Sequence, residues 1–362
     1  MKQYRVGIIG ATGMVGQRFV RLLENHPWFR VTALAASASS AGKTYQEALG
    51  GRWAFDCEIP AYVRDMTVFD AADCGKVAAE ADFVFCAVAL PRDRTRELEE
   101  AYARTETPVV SNNSACRMLP DVPMVIPEIN SDHTRVIPAQ RARLGTKRGF
   151  IAVKPNCSIQ NYVPALTPLK EYGIEKIFVC TYQAISGAGK TFKRWPEMTD
   201  NVIPYIGGEE EKSEKEPLKI WGTLNGDASA IIPASEPVIS AQCIRVPVTD
   251  GHMAAVSVLF RNRPEEADIL ERWANFDSPA ARLGLPSAPK KFLNYFTEPD
   301  RPQTRLDRSV ENGMGVAIGR LRRDEIFDWK FVTLSHNTLR GAAGGGVLSA
   351  EMLCAMGYIE NK

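Results

Sequence analysis

Short, almost uninterrupted apolar runs alternate with stretches of helical period through the first hundred residues. Residues 4–10 form one such run, ending on glycine, and behind it Val15, Phe19, Leu22 and Leu23 recur at helical spacing until His26 and Pro27. A run that is apolar on both faces is buried on both faces, so the alternation predicts a parallel sheet with crossover helices. Residues 29–36, 82–90 and 108–111 are its further strands, and the charged stretch 92–104 is an amphipathic helix. From about residue 150 the pattern changes. Residues 176–186, 239–248, 252–262, 315–322 and 328–337 read as long strands, two of them joined across a Thr249-Asp250-Gly251 turn. A mostly antiparallel sheet with a few covering helices fits them, with helices over 208–219 and over 341–356, the latter after a glycine-rich bend. Two domains are expected: residues 1–156 with 338–362, and residues 157–337.

Composition adds exclusions. A chain of 362 residues is long enough for two domains, and 45% hydrophobic with 24% charged residues is enough for a large core. The 44 basic and 43 acidic residues nearly cancel, so there is no strong field for nucleic acid. No apolar run approaches the roughly 18 residues of a membrane span. The start of the chain leads at once into a strand-like run, without a secretory signal pattern, so the cytoplasm is the expected compartment. Eight cysteines include no CxxC pair, so no metal site is expected and most thiols are expected to be free and buried.

Gly10-Ala11-Thr12-Gly13-Met14-Val15-Gly16 sits between the first strand and the first helix. Glycines there allow a tight turn and close backbone approach to a pyrophosphate at a helix N-terminus, as in a Rossmann-type dinucleotide-binding domain. The GxxGxxG spacing differs from the usual GxGxxG, and a plain glycine-rich turn is the alternative; the strand-turn-helix context favours the cofactor. At the end of the second strand, where NAD-binding chains usually carry an acid, this chain has Ser37, Ser39 and Ser40, then Lys43. Hydroxyls and a lysine with no carboxylate suit a 2′-phosphate, so NADP is the expected cofactor.

Near the domain junction the chain reads Val153-Lys154-Pro155-Asn156-Cys157-Ser158. A strand ends at Pro155 and a helix is expected from about Asn156, which would place Cys157 in a first turn whose dipole favours a thiolate. None of the other seven cysteines has that setting. Of the four histidines, His252 follows Asp250-Gly251 at the mouth of the expected hairpin, seven residues after Arg245. An arginine within an apolar strand needs a partner, either an internal carboxylate or a carboxylate ligand. His252 serves either as a cap or as an acid/base.

Taken together, Gly10–Gly16, Ser111-Asn-Asn-Ser114 with Arg117, Pro155-Asn-Cys-Ser158, 181–189, Glu209-Glu-Glu-Lys212, 245–252 and 337–343 resemble the aspartate-β-semialdehyde dehydrogenase family, in family order and over nearly the whole chain. The 37–43 loop and Gly344-Gly345-Gly346 are most similar to its archaeal and fungal branch. The resemblance implies NADPH-dependent reductive dephosphorylation of L-aspartyl 4-phosphate to L-aspartate 4-semialdehyde, a step toward lysine, threonine and methionine. It implies Cys157 as thioester-forming nucleophile, His252 as general acid/base and Gln183 as an orienting residue. Arg245 would bind the α-carboxylate and Glu209 the α-ammonium, with Lys212, Arg117 and Asn156 around the phosphate. Three adjacent glutamates, Glu209, Glu210 and Glu211, leave the helix register open. Cofactor contacts are implied for Gly10 to Val15, Ser37, Ser40, Lys43, Ser186, Gly187, Gly189 and Asn337. The family also implies a homodimer or homotetramer. Malonyl-CoA reductase, which keeps the cysteine chemistry but needs no ammonium-binding acid, is the near alternative, and an NADP-binding protein without turnover the distant one.

Overall fold

The computed structural model describes residues 3–362. The first sheet is fully parallel, in the order β3–β2–β1–β4–β5–β6. Its strands are β1 (Tyr4–Ile9), β2 (Phe29–Ala36), β3 (Val68–Asp70), β4 (Phe83–Cys86), β5 (Val109–Ser111) and β6 (Ile151–Val153). The strand order reverses beside β1, and in such sheets ligands bind in the crevice outside the carboxyl ends at that point. Helix Met14–Leu23 starts there, directly behind β1. The helix expected over 92–104 is present as Arg92–Arg104. Strand β4 is shorter than the apolar run 82–90, because Ala87 to Leu90 leave the sheet to line the crevice. Strand β3 was not foreseen, since three residues are too few to show a period.

The second sheet is mixed, in the order β10–β7–β11–β14–β13–β12. It contains β7 (Ile174–Gln183), β10 (Val238–Arg245), β11 (His252–Phe260), β12 (Leu293–Phe296), β13 (Val316–Arg323) and β14 (Trp329–Ser335), while β8 (Thr223–Leu224) and β9 (Ile231–Ile232) form a separate pair. The expected hairpin across Thr249-Asp250-Gly251 is corrected: β10 and β11 are not neighbours. Strand β7 lies between them, parallel to β10 with Arg245 opposite Gln183, and antiparallel to β11 with Met253 opposite Tyr182. The connection from Arg245 to His252 therefore passes over the end of β7, and Gln183, Arg245 and His252 come to one end of the sheet.

These three residues share the buried face with Ile177, Val179, Cys243, Ala254 and Val256. Helix Glu209–Ile220 packs against β10, and helix Tyr162–Leu166 against β13 and β14. The opposite face is half-open, with Phe178 40% and Val238 65% exposed on adjacent strands.

The last helix, Gly344–Ala355, is buried around its circumference and packs on helix Met14–Leu23 and β5. The glycine-rich bend is also corrected: the three glycines form the helix's first turn, and the bend is the π-turn Leu339–Ala343 before it. Glycine is needed for close packing there, because a Cβ on Gly346 would stand 2.9 Å from the Phe19 ring. Among the described residues, no helix is long and apolar enough to cross a membrane.

Candidate active site

Beyond β6, Lys154, Pro155 and Asn156 carry the chain to Cys157, which caps a 3-10 turn, Ser158–Gln160. The α-helix begins only at Tyr162 and ends at Leu166, with Pro164 inside it and Pro168 in the 3-10 turn that follows. The expected dipole-activated cysteine is thereby corrected, because a three-residue turn sums too few peptide dipoles. Burial pushes the thiol pKa up and Glu209 adds to it, against the pull of Lys154, Arg117 and Arg245.

His252 is fully buried. Its Nδ1 accepts the Ala184 N–H at 3.1 Å, so the ring proton sits on Nε2, which has no protein partner. Asn161, absent from the sequence reading, anchors this residue by donating to its carbonyl oxygen at 2.8 Å. Burial and Arg245 push the imidazole pKa well below its ordinary 6.5, so His252 is a neutral N–H donor. A Cβ on Gly187 would lie 2.9 Å from both His252 Nε2 and Arg245 Nη1. The bare backbone of Gly187 packs directly against both groups. Gly187 is itself exposed and has no left-handed φ. Gly187→Val would push against both buried groups and is expected to lower kcat/KM by at least about 10², with a smaller loss of thermal stability from the overpacking, measured by steady-state kinetics and calorimetry.

Arg245 is 5% exposed and makes one side-chain hydrogen bond, from Nη1 to Ala184 O at 2.7 Å. It has no carboxylate partner among the described residues. A buried guanidinium left in that state costs stability unless a ligand completes it, so the internal salt bridge, one of the two readings of Arg245, is absent among the described residues. Glu209, first residue of its helix, settles the register. Its Oε1 accepts from Asn156 Nδ2 at 2.9 Å and Lys212 Nζ at 2.8 Å, and its Oε2 from Gln183 Nε2 at 3.2 Å. Burial raises the carboxyl pKa, but Lys212 and the two amides outweigh it and hold the group below the usual carboxylate range. Glu210 instead accepts the Cys243 N–H, and Glu211 is exposed.

Arg117 is more engaged than the sequence suggested. Its Nη1 pairs with Glu216 at 2.9 Å, Nε donates to Lys154 O at 3.0 Å and Nη2 to Asn112 O at 2.9 Å. Glu216 also accepts the Asn156 N–H at 2.6 Å. Sequence reading missed Glu216, although it lies seven residues after Glu209 and so returns to the same helix face. Four segments thus meet at Cys157: the loop after β6, the sheet end, the Glu209 helix and the 339–343 bend, where a Cβ on Gly341 would touch Cys157 Cβ at 2.8 Å.

Beside this lies a cleft of about 820 Å³ lined by Gly10, Thr12, Gly13, Ser37, Ala38, Asp70, Arg94 and the 87–91 segment. A Cβ on Gly10 would stand 2.4 Å from Ala87 O and one on Gly16 2.2 Å from Gly10 O, so these two glycines serve the turn itself. Gly13 has no such crowding and lines the cleft. Met14 and Val15 follow in the helix's first turn, while Ala11 is buried with its carbonyl held by Tyr45 Oη at 2.8 Å. Ser37 lines the cleft; Ser40 is buried and outside its lining, and Lys43 Nζ donates to Ser39 O at 2.8 Å. A carboxylate stands beside the end of β2 after all: Asp70, level with Ala36 on the unforeseen β3, with Oδ1 held by Ala72 N–H at 2.9 Å, and Glu97 also lines the cleft. Asn337 donates to Ser186 Oγ at 2.8 Å and accepts Gly251 N–H at 2.8 Å, tying the 186–189 turn to the loop before His252. No cluster of His, Cys, Asp and Glu suited to a metal occurs among the described residues.

Family models for the semialdehyde dehydrogenase NAD-binding domain and dimerisation domain match residues 5–137 and 166–340. The aspartate-semialdehyde dehydrogenase of Archaeoglobus fulgidus is 44% identical over 351 residues, covering 97% of this chain and 98% of the relative. That of Schizosaccharomyces pombe is 44% identical over 360 residues, covering 98% and 99%. The chain belongs to the aspartate-semialdehyde dehydrogenase family. A crystal structure of aspartate semialdehyde dehydrogenase with NADP from Candida albicans matches at TM-score 0.88 and 40% identity, covering 99% of this chain and 100% of that one. Membership of the aspartate-semialdehyde dehydrogenase family accounts for the two sheets, and the NAD-binding match covers the glycine loop and its cleft.

Three buried histidines, His252 and His336 near the sheet end and His133 away from it, are expected to make stability depend on pH. Burial lowers the pKa of His133 and His252, and that of His336 to about 4, from 6.5. The unfolded chain then binds more protons than the folded one below about 6.5, so their contribution is complete above that pH and is lost as pH falls. The urea midpoint is expected to drop between about pH 7.5 and pH 5, and the drop to shrink in His336→Asn.

Proposed function

We propose that the protein is an NADP-dependent aspartate-semialdehyde dehydrogenase that converts L-aspartyl 4-phosphate to L-aspartate 4-semialdehyde and inorganic phosphate, serving lysine, threonine and methionine synthesis. The observation that carries this reading is the buried Arg245 guanidinium without a carboxylate, set beside Cys157, His252 and the Glu209–Lys212 pair. A small substrate with one carboxylate, one ammonium and one phosphate completes all of them.

Arg245 takes the α-carboxylate and Glu209 the α-ammonium, with Gln183 holding Glu209 and the substrate in register. Lys212 and Asn156 bind the phosphate, and Arg117, with two N–H groups beyond its present bonds, contributes from behind. Cys157 Sγ attacks the acyl carbon, the C–O bond to phosphate breaks, and a thioester forms on the enzyme. His252 Nε2–H donates toward the carbonyl oxygen as negative charge builds there. NADPH, when bound, supplies the hydride that reduces the thioester. The backbone of Gly10, Ala11, Thr12, Gly13, Met14 and Val15, with Ser37, Ser40, Lys43, Ser186, Gly187, Gly189 and Asn337, holds or shapes its site. In the reverse direction the thiol adds to the aldehyde, that adduct gives up its hydride to the oxidised cofactor, when bound, and phosphate then releases the acyl group from sulfur.

In this reading residues 1–156 and 338–362 carry the cofactor and residues 157–337 carry the chemistry and dimerisation. The half-open sheet face around Phe178 and Val238 supports a homo-oligomer, a dimer or a tetramer; light scattering distinguishes the two. The cytoplasm is the compartment where such a reduced thiol works.

The test follows NADPH formation with aspartate semialdehyde plus phosphate, against NADPH oxidation with malonyl-CoA. Phosphate-dependent turnover is expected with the first and none with the second; the reverse pattern would overturn the substrate. Glu209→Gln discriminates further. It removes the charge that meets the ammonium, so the KM for aspartate semialdehyde is expected to rise about 10- to 100-fold, the worth of one hydrogen bond to a charged group.

A further inference from the structure

The bend Leu339–Ala343 that walls Cys157 contains one charged side chain, Arg340, which the reaction described above does not use. Arg340 is fully buried and Glu128 is 1% exposed. The guanidinium meets the carboxylate two-on-two: Nη1 donates to Glu128 Oε1 at 2.6 Å and Nη2 donates to Oε2. The guanidinium carbon also lies over the Phe292 ring, 4.6 Å from its centroid, where a cation is favoured. For stability alone such a buried pair is no better than well-packed apolar side chains, because desolvation offsets the attraction. What the paired fork does supply is a fixed distance and angle between two segments.

Both segments bear on the nucleophile. Gly341 follows Arg340 directly, and a Cβ there would stand 2.8 Å from Cys157 Cβ, 3.2 Å from Cys157 Cα and 3.4 Å from the Cys157 carbonyl oxygen. The bend thus rests on the Cα–Cβ bond about which Sγ turns, and a wall at that place restricts the staggered positions open to sulfur. On the other side, Glu128 follows a segment stitched to β6: Val125 N–H donates to Val153 O at 3.0 Å, and Val153 N–H donates to Pro123 O at 2.9 Å. Asn130 closes the turn between them, accepting from Ile126 N–H at 2.9 Å and donating to Met124 O at 2.9 Å. Strand β6 runs on through Lys154, Pro155 and Asn156 to Cys157. The ion pair therefore closes a circuit that leaves Cys157 through Gly341, passes Arg340, Glu128 and the 123–125 segment, and returns along β6. Inside the bend Ala342 departs from helical geometry, with φ −139° and ψ −105°, so the place of Gly341 depends on what the bend is tied to.

We propose that Arg340 and Glu128 are a positioning pair that holds the Gly341 wall against Cys157 and so fixes the direction in which the thiol meets the acyl carbon. Neither side chain touches the reacting atoms; both act through Gly341. The inference rests on the reading above only in taking Cys157 as the nucleophile.

The test is a mutant cycle of Arg340→Met, Glu128→Leu and the double variant. It is read by steady-state kinetics with aspartate semialdehyde and phosphate, and by the rate at which iodoacetamide alkylates Cys157, assigned by peptide mass spectrometry. Each single variant leaves one charge buried without its partner and is expected to lose stability, while the double variant exchanges the pair for apolar side chains and should unfold near the wild-type temperature. A pair that served only the fold would give full turnover in that folded double variant. A positioning pair leaves the KM for both substrates in place, lowers kcat by about 10- to 100-fold, the effect of a displacement near 1 Å, and speeds alkylation because the wall has moved off Cys157. Wild-type kcat or a wild-type alkylation rate in the folded double variant overturns the proposal. Should the double variant not fold, Arg340→Lys, which keeps the charge but not the fork, is read in the same way. Gly341→Ala leaves the pair intact and displaces the wall itself; wild-type kcat there overturns the proposal as well. Alkylation needs no turnover, so silence with aspartate semialdehyde would overturn the substrate reading while the alkylation rates still decide this one.

Discussion

Cys157→Ser is expected to abolish phosphate-dependent NADPH formation, lowering kcat by about 10⁴ to 10⁶, the range seen when a catalytic nucleophile is removed. The substitution replaces sulfur by oxygen in a half-buried position that makes no hydrogen bond, so folding and cofactor binding should not change. A serine hydroxyl ionises far less readily than a thiol, and its ester would be a poorer hydride acceptor than a thioester. Intact mass spectrometry of wild type with aspartate semialdehyde and the oxidised cofactor, without phosphate, should show an acyl adduct that the variant lacks. Residual turnover within tenfold of wild type would remove Cys157 from the chemistry and with it the thioester route.

Arg245→Leu is expected to lower kcat/KM for aspartate semialdehyde by about 10² to 10⁴, corresponding to the 3–5 kcal/mol lost when one partner of a buried ion pair is deleted. The effect on the free protein should be much smaller. Without ligand, Arg245 is a buried cation whose only side-chain bond is to Ala184 O, so the smaller apolar leucine removes a desolvated charge and the unfolding temperature should fall far less than the activity. Activity lost while stability holds is the signature of a residue kept for its ligand. Arg245→Lys keeps the charge but not the planar fork, and should recover only part of the loss. A drop in unfolding temperature as large as the drop in activity would return Arg245 to a structural role.

Much of this molecule follows from local sequence. Both-face apolar runs gave strands β1 and β2, because burial on two faces leaves no polar positions. Period and charge gave helix Arg92–Arg104, and the helix over 208–219 was misplaced by one residue. Cys157, His252 and Arg245 stood out as candidates in the sequence because each is a reactive or charged residue in a setting that leaves a functional reading open, while Glu209 came only with the family resemblance. Three things were decided only by tertiary structure. Strand β7 inserts between β10 and β11, so a connection that looks like a hairpin turn instead carries His252 across to the end of β7; pairing depends on long-range contacts that local pattern does not encode. Glu209 rather than Glu210 faces the site because helix register is set where the helix docks on β10. The ionisation of Cys157 and His252 depends on burial and on cations from distant segments, since the desolvation that moves a pKa exists only once the chain is folded around it.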